Sequence, residues 1–340
     1  MAQQSEFDRL RSAWRALAGE NKKEGWRTIP IEQSGSRRLL AGRHFPGNTE
    51  AILIGFHSVH LPAKEQLPQG QGFHVEQVKN EVPGSAHVWI ALSRKSVGSL
   101  DMFARMAEDV IAMLESYRHV DDQMLFQLFL GRIKAWQKFM HQARTGVLGL
   151  EEEIGLAGEL HFLKLLLERG LPAASVIEAW QGPLDGLHDF LLGSGAMEVK
   201  STTATHGFPA TAGSLEQFDA SLVSILFLVG VRFMVEPSGA TLPEIVDDIA
   251  CRLEGEPDTK GIFETLLLRA GFLRAFSDRY KRRLAHSETR ILLVDGEFPA
   301  LTRNNVNPAI RKARYELDLD LVSAPRMELN RALEKLGVTL

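Results

Sequence analysis

Leu184-Asp185-Gly186-Leu187-His188-Asp189-Phe190 and, shortly after, Ala196-Met197-Glu198-Val199-Lys200-Ser201-Thr202 are the most informative part of this chain. They predict two short strands joined by the turn Gly193-Ser194-Gly195. Side chains on a strand alternate between its faces, so Glu198 and Lys200 point to one side and Met197 and Val199 to the other. If Asp189, near the start of the preceding strand, lies across the hairpin on that same side, two carboxylates converge beside an ammonium. Hard oxygen donors in such an arrangement suit Mg²⁺ or Mn²⁺ and a bound water. The chemistry this implies is metal-assisted phosphodiester cleavage.

Upstream of the hairpin, residues 151–168 predict a helix with Leu156, Leu160, Leu163 and Leu167 on its apolar face, ended by Gly170-Leu171-Pro172. Glu151, Glu152 and Glu153 occupy its first turn, where the helix dipole favours negative charge. Glu159 falls at the margin of the apolar face, an unusual place for a charge without a partner. Two readings stay open there: an acid belonging to the hairpin's site, or an ordinary helix acid held by a salt bridge. A strand at 176–179 is expected next, leading through Trp180-Gln181-Gly182-Pro183 into the hairpin. Beyond it the patterns predict a helix at 215–219, an apolar strand at 222–234 and helices at 243–253 and 262–270. Strands at 290–294 and 315–321 and a helix at 325–336 close the chain. The order helix, three strands, helix, strand, then additions, is an α/β core.

The first half is patterned differently. Phe7, Leu10, Trp14 and Leu17 recur at helical spacing over 6–18. Strands are expected at 26–31, 38–44, 50–56 and 86–92, separated by Gly, Pro and Asn punctuation. Helices follow at 99–117 and 121–144, and Thr145-Gly146-Val147-Leu148-Gly149 reads as a hinge. The expected division is an N-terminal mixed α+β domain, 1–148, that recognises substrate or partner, and a second domain, 149–340.

Composition excludes several classes. At 340 residues, 44% hydrophobic and 24% charged, the chain has the make-up of a folded protein rather than a disordered one. One cysteine, Cys251, rules out a disulfide framework or a cysteine-based zinc cluster and fits a reducing cytoplasm. Residues 1–15 lack a secretory-signal pattern, and the longest apolar run, 222–231, is too short to span a bilayer. A formal net charge of −4 argues against coating nucleic acid by bulk electrostatics, so any such contact uses a local basic surface. No phosphate-binding loop, dinucleotide fingerprint or Gly-x-Ser-x-Gly elbow appears, and His57, His60, His74, His87, His141, His161 and His286 show no zinc-hydrolase spacing.

Asp189 followed by Glu198-Val199-Lys200 resembles the D-x(n)-E-x-K signature of the PD-(D/E)XK nuclease superfamily, with its restriction-endonuclease-like fold. His188 stands where that signature has proline. The resemblance implies Asp189 and Glu198 as metal ligands, the Val199 carbonyl as a further one, and Lys200 as the lysine that positions or activates the attacking water. It also implies a helix acid aimed at the metals, matched here by Glu159, and a glutamine after the hairpin that orients lysine or substrate, matched by Gln217. Gly155-Leu156-Ala157-Gly158-Glu159-Leu160, Trp180-Gln181-Gly182-Pro183, Ser214-Leu215-Glu216-Gln217-Phe218-Asp219, Gly42-Arg43-His44-Phe45-Pro46-Gly47-Asn48 and Trp136-Gln137-Lys138-Phe139-Met140 extend it. Together they resemble a bacterial family of uncharacterised PD-(D/E)XK motif proteins. Members are often encoded beside helicases, ATPases or methyltransferases in phage-defence clusters, and superfamily nucleases that cut both strands commonly pair as homodimers.

The resemblance therefore implies a Mg²⁺- or Mn²⁺-dependent nuclease acting on DNA. The rival expectation is a non-cleaving nucleic-acid-binding or scaffolding subunit that retains the fold. A third is a protein-binding surface in the first half built on Trp14, Trp26 and Trp89. Ser201, Thr202 and Thr203 read either as phosphate contacts or as a solvated strand end, and His206 as an exposed loop residue within reach of phosphate. Arg279-Tyr280-Lys281-Arg282-Arg283, with Arg274 and Arg290, is the densest basic tract, read either as a nucleic-acid patch with a stacking tyrosine or as a solvated face. Arg311, Lys312 and Arg314 form a weaker one.

Overall fold

The computed structural model describes residues 2–19, 24–34, 37–57, 59–61, 67–78, 88–117, 120–142, 147–184 and 186–338. Asp185, Ala86, His87, Arg144, Thr145 and Gly146, on which expectations fell, lie outside these. The chain divides into two compact units, Met1–Gly146 and Val147–Leu340.

The first unit begins with α1 (Ala2–Leu17) and a fully antiparallel sheet of β1 (Gly25–Ser34), β2 (Arg37–Phe45), β3 (Thr49–Phe56), β4 (Phe73–Val78) and β5 (Val88–Arg94), in the order β1-β2-β3-β5-β4. Pro30, which cannot donate to a ladder, sits on the edge strand β1 at a register shift. β4 went unread in the sequence because its alternation of Phe73 and Val75 with polar residues is short. α2 (Leu100–Ser116), capped by Ser99, and α3 (Asp122–Gln142) complete the unit. A buried ion cluster crosses its sheet: Glu50 receives Arg43 Nη2 at 2.7 Å and Arg94 Nε at 2.6 Å. Trp14 and Trp89 are buried, Trp14 stacking on Phe103 and donating its indole N–H to the Ala51 carbonyl. Trp14 and Trp89 are core residues, which corrects the expected docking surface at those two positions; Trp26 is half-buried beside His44.

The second unit contains α4 (Leu150–Glu168), α5 (Ala173–Ala179), β6 (Phe190–Leu192), β7 (Gly195–Thr202), β8 (Pro209–Ala212), β9 (Leu226–Ala240), α6 (Leu242–Arg252), α7 (Pro257–Arg269), β10 (Leu284–Val294), β11 (Tyr315–Asp318) and α8 (Leu329–Lys335). β10-β9-β7-β6 form a mixed sheet in which β7 and β9 are parallel and the other pairs antiparallel; β8 and β11 form a separate pair. Alternation sorts the side chains. Met197, Val199, Phe227, Val229, Val231 and Phe233 pack with α4 to α8, while Ala196, Leu226 and Leu228 pack with Phe208, Phe218 and Phe298 on the opposite face.

Two expected elements differ. Residues 176–179 lie in α5, because Val176 and Ile177 are fully buried on one helical face and this burial outweighs β-branched propensity. Residues 215–219 form no α-helix. Their polar side chains bond local backbone instead: Ser214 Oγ accepts from Glu216 N, and Asp219 Oδ1 from Ser221 N, opening a short 3-10 turn. Between β7 and β9, the expected α-helix is therefore replaced by β8 and this turn. The unit is a mixed α/β fold, but the expected order of helix, three strands, helix, strand is not its order.

Candidate active site

The site grows from the hairpin. Phe190 pairs with Met197, and continuing that register sets Asp189 opposite Glu198. Residues before the hairpin fix it further. The Asp189 carbonyl accepts the N–H groups of Gln181 at 2.7 Å and Gly182 at 3.1 Å, while its Oδ2 accepts the Val199 N–H at 2.7 Å. Asp189 is thereby tied to β7 and to the 180–182 segment at once.

Glu159 reaches the same place from α4. Its Oε2 accepts the indole N–H of the fully buried Trp180 at 2.7 Å. A Cβ added to Gly182 would lie 2.6 Å from Glu159 Oε2 and 3.1 Å from Asp189 Oδ1, so both carboxylates close over a position that only glycine leaves open. Glu198, 1% exposed, has Lys200 Nζ 2.7 Å from Oε1 and His188 Nδ1 3.6 Å from Oε2. Neither contact has hydrogen-bonding geometry, and both Glu198 oxygens lack a hydrogen-bond donor. Lys200 remains half-buried.

Three carboxylates around one lysine leave negative charge in excess. Burial pushes the Glu159 carboxyl up to about 7, with the Glu198 charge adding to the rise and the Trp180 N–H and Lys200 opposing it. Asp189 is raised well above the usual carboxylate range, first by burial and then by repulsion from Glu198 and Glu159. Among the described residues, no group of three or more His, Cys, Asp or Glu side chains stands as a ready-formed metal cage. The donor chemistry nevertheless fits a hard divalent cation: oxygen donors in surplus, the two Glu198 oxygens buried without a hydrogen bond, and no Cβ at Gly182 to crowd Glu159 and Asp189.

The remaining candidates lie elsewhere. The Gln217 side-chain oxygen accepts from the Gly213 N–H at 2.7 Å, and no described contact joins it to the carboxylates. Ser201 points to α4, where a Cβ on Gly158 would fall 1.6 Å from its Oγ, and Thr202 is buried, accepting from Ala204 N. Ser201 and Thr202 are turned inward, which corrects the solvated strand end at those two positions, and Thr203 is half-buried. His206 is exposed. Much of the basic tract is spent on internal pairs, Arg282 with Glu153, Arg283 with Glu244, Arg274 with Glu264 and Asp247, Arg290 with Glu288 and Asp320, while Arg279, over the Phe276 ring, and Lys281 are exposed. Tyr280 is 4% exposed with its hydroxyl accepting from Leu148 N, so it presents no stacking face. Arg311, Lys312 and Arg314 are exposed.

Sequence reasoning assigned no role to Trp180, Gly182 or the buried face of His188. Trp180-Gln181-Gly182 is visible only as a motif, since a tryptophan two residues before a glycine does not announce a carboxylate 21 residues earlier in the chain.

No helix among the described residues is long and apolar enough to cross a membrane. No curated protein and no solved structure matches the chain. One family model, described as "Putative PD-(D/E)XK family member, (DUF4420)", matches residues 10–320, through both units and every residue of the carboxylate cluster. The chain belongs to this family, and with it to the PD-(D/E)XK superfamily.

Proposed function

We propose that this protein is a divalent-metal-dependent nuclease that hydrolyses phosphodiester bonds in DNA, with its centre on the β6–β7 hairpin. The observation that carries this is the surplus of buried carboxylate: Glu159, Asp189 and Glu198 around a single lysine. Asp189, Glu198 and Glu159 would hold Mg²⁺ or Mn²⁺, with the Val199 carbonyl as a further donor. When bound, the metal supplies positive charge for the phosphate and a more acidic water. Lys200 orients that water and offsets negative charge, Trp180 fixes the Glu159 carboxylate, and the Val199 N–H fixes that of Asp189. Gln217, through Gly213, shapes the loop that follows β8. Family membership supports a nucleic-acid substrate; DNA and a place in bacterial defence, beside a helicase, ATPase or methyltransferase and as a homodimer, are the finer part of the proposal.

The test is cleavage of plasmid and linear DNA by the purified chain with Mg²⁺ or Mn²⁺. Loss of cutting in both Glu198→Ala and Lys200→Ala supports the assignment; full cutting by either refutes it.

One observation favours a second reading, a non-cleaving binding or scaffolding subunit. Arg282 and Arg283 of the densest basic tract are paired internally, and formal net charge is −4, so a ready-made electrostatic footprint for DNA is weak. Absence of Mg²⁺ and Mn²⁺ binding at millimolar concentration selects that reading.

A further inference from the structure

His188 is 3% exposed, and neither of its ring nitrogens has a hydrogen-bond partner. It faces the buried Glu198, whose Oε1 is ion-paired with Lys200 and whose Oε2 lies 3.6 Å from Nδ1 without a hydrogen bond. Burying an imidazole with both ring nitrogens unbonded is costly unless a further group meets them. His188 has no partner of its own, and the Glu198 oxygen it faces, Oε2, is the one that Lys200 leaves open, so the two share a missing third. One ion with bonds of about 2.1 Å reaches both.

We propose that His188 is a metal ligand, placing an imidazole nitrogen beside the Glu198 carboxylate and turning the centre from an all-oxygen site into a mixed nitrogen and oxygen one. This rests on the metal-binding reading above and deepens it. The consequence is selectivity. Magnesium takes oxygen donors almost exclusively, whereas imidazole suits manganese, cobalt and zinc progressively better. The centre therefore prefers Mn²⁺ over Mg²⁺, and the preference resides in His188.

The test uses the full chain stripped of metal. Calorimetric titration with Mn²⁺ and Mg²⁺ gives the affinity ratio, and pulsed electron paramagnetic resonance of the Mn²⁺ form reads ¹⁴N coupling. The expected result is ¹⁴N modulation in the unaltered protein, its loss in His188→Gln, and a fall of about tenfold in the Mn²⁺ to Mg²⁺ affinity ratio, the low end for losing a metal-site partner. Bound Mn²⁺ without ¹⁴N coupling, or an unchanged ratio in His188→Gln, overturns the proposal while leaving the carboxylate site standing. Failure of the unaltered protein to bind either ion overturns both. Should His188→Gln not fold, the spectrum of the unaltered protein decides alone.

Discussion

Trp180 Nε1 donates to Glu159 Oε2 across 2.7 Å, joining the segment before the β6–β7 hairpin to the helix α4. The indole is fully buried, so the hydrogen bond has no solvent substitute. Trp180→Phe keeps much of the apolar volume but removes the donor. The expected cost is about 1–3 kcal/mol in urea unfolding at pH 8, where Glu159 is ionised, and clearly less at pH 5, where it is protonated. Equal losses at both pH values would refute this account of the pair.

The same carboxylates set a pH dependence for the metal-free protein. Glu159 is raised from 4.5 to about 7 on folding, and Asp189 is raised as well, so the folded state binds more protons than the unfolded state between these limits. Stability from Glu159 is fully present below about 4.5 and lost as pH rises through about 7; the raised Asp189 adds in the same direction. With chelator present, melting temperature should fall from pH 5 to pH 8 more steeply than in Glu159→Gln. Saturating Mn²⁺ should restore it at pH 8 through binding to the folded state. Parallel melting profiles for the two proteins would count against the assignment.

Local rules made much of this molecule readable. The hairpin was readable because β7 alternates strictly, with Met197 and Val199 inward on the helix side and Glu198 and Lys200 opposite. Glu159 stood out because a charge at the edge of a leucine face is rare. What could not be read depends on contacts distant in sequence. Val176 and Ile177 look like strand residues until the core that buries them as a helix is in place. Arg274, Arg282 and Arg283 look like a basic patch until their acids, up to 129 residues away in the chain, are located. Ser201 looks exposed until Gly158 of α4 is seen against it.

Two glycines at the site separate access from packing. Gly182→Ala places a methyl group 2.6 Å from Glu159 Oε2 and 3.1 Å from Asp189 Oδ1, so the carboxylates must part. Divalent-metal affinity is expected to drop at least tenfold in calorimetry, with a stability change under about 1 kcal/mol because relieving the charge crowding offsets the strain. Gly158→Ala puts its methyl 1.6 Å from Ser201 Oγ and 2.8 Å from its Cβ, between α4 and β7. The helix gains up to about 1 kcal/mol of propensity, but overpacking costs about 1–3, so a net loss of stability is expected in urea unfolding. A Gly182→Ala protein with unimpaired metal binding would show that the carboxylates do not meet a cation beside that glycine.

In the first unit the decisive buried charge is Glu50, held by Arg43 and Arg94 at 2.7 and 2.6 Å. Each arginine has other anchors: Arg43 donates to the carbonyls of Trp14 and Asn48, and Arg94 to that of Gly98. Glu50→Ala therefore leaves two guanidinium groups fixed in place, largely buried and without their counter-charge. The expected cost is about 3–5 kcal/mol, the usual penalty for breaking a buried pair by deleting one partner. Glu50→Gln, which retains an acceptor, should cost less. The triple replacement Arg43→Met, Glu50→Leu, Arg94→Met should cost less than Glu50→Ala alone, because no charge is then stranded. Urea unfolding followed by tryptophan fluorescence separates these cases, since Trp14 sits within the same unit. If Glu50→Ala were the mildest of the three, the cluster would be contributing through packing rather than through paired charge.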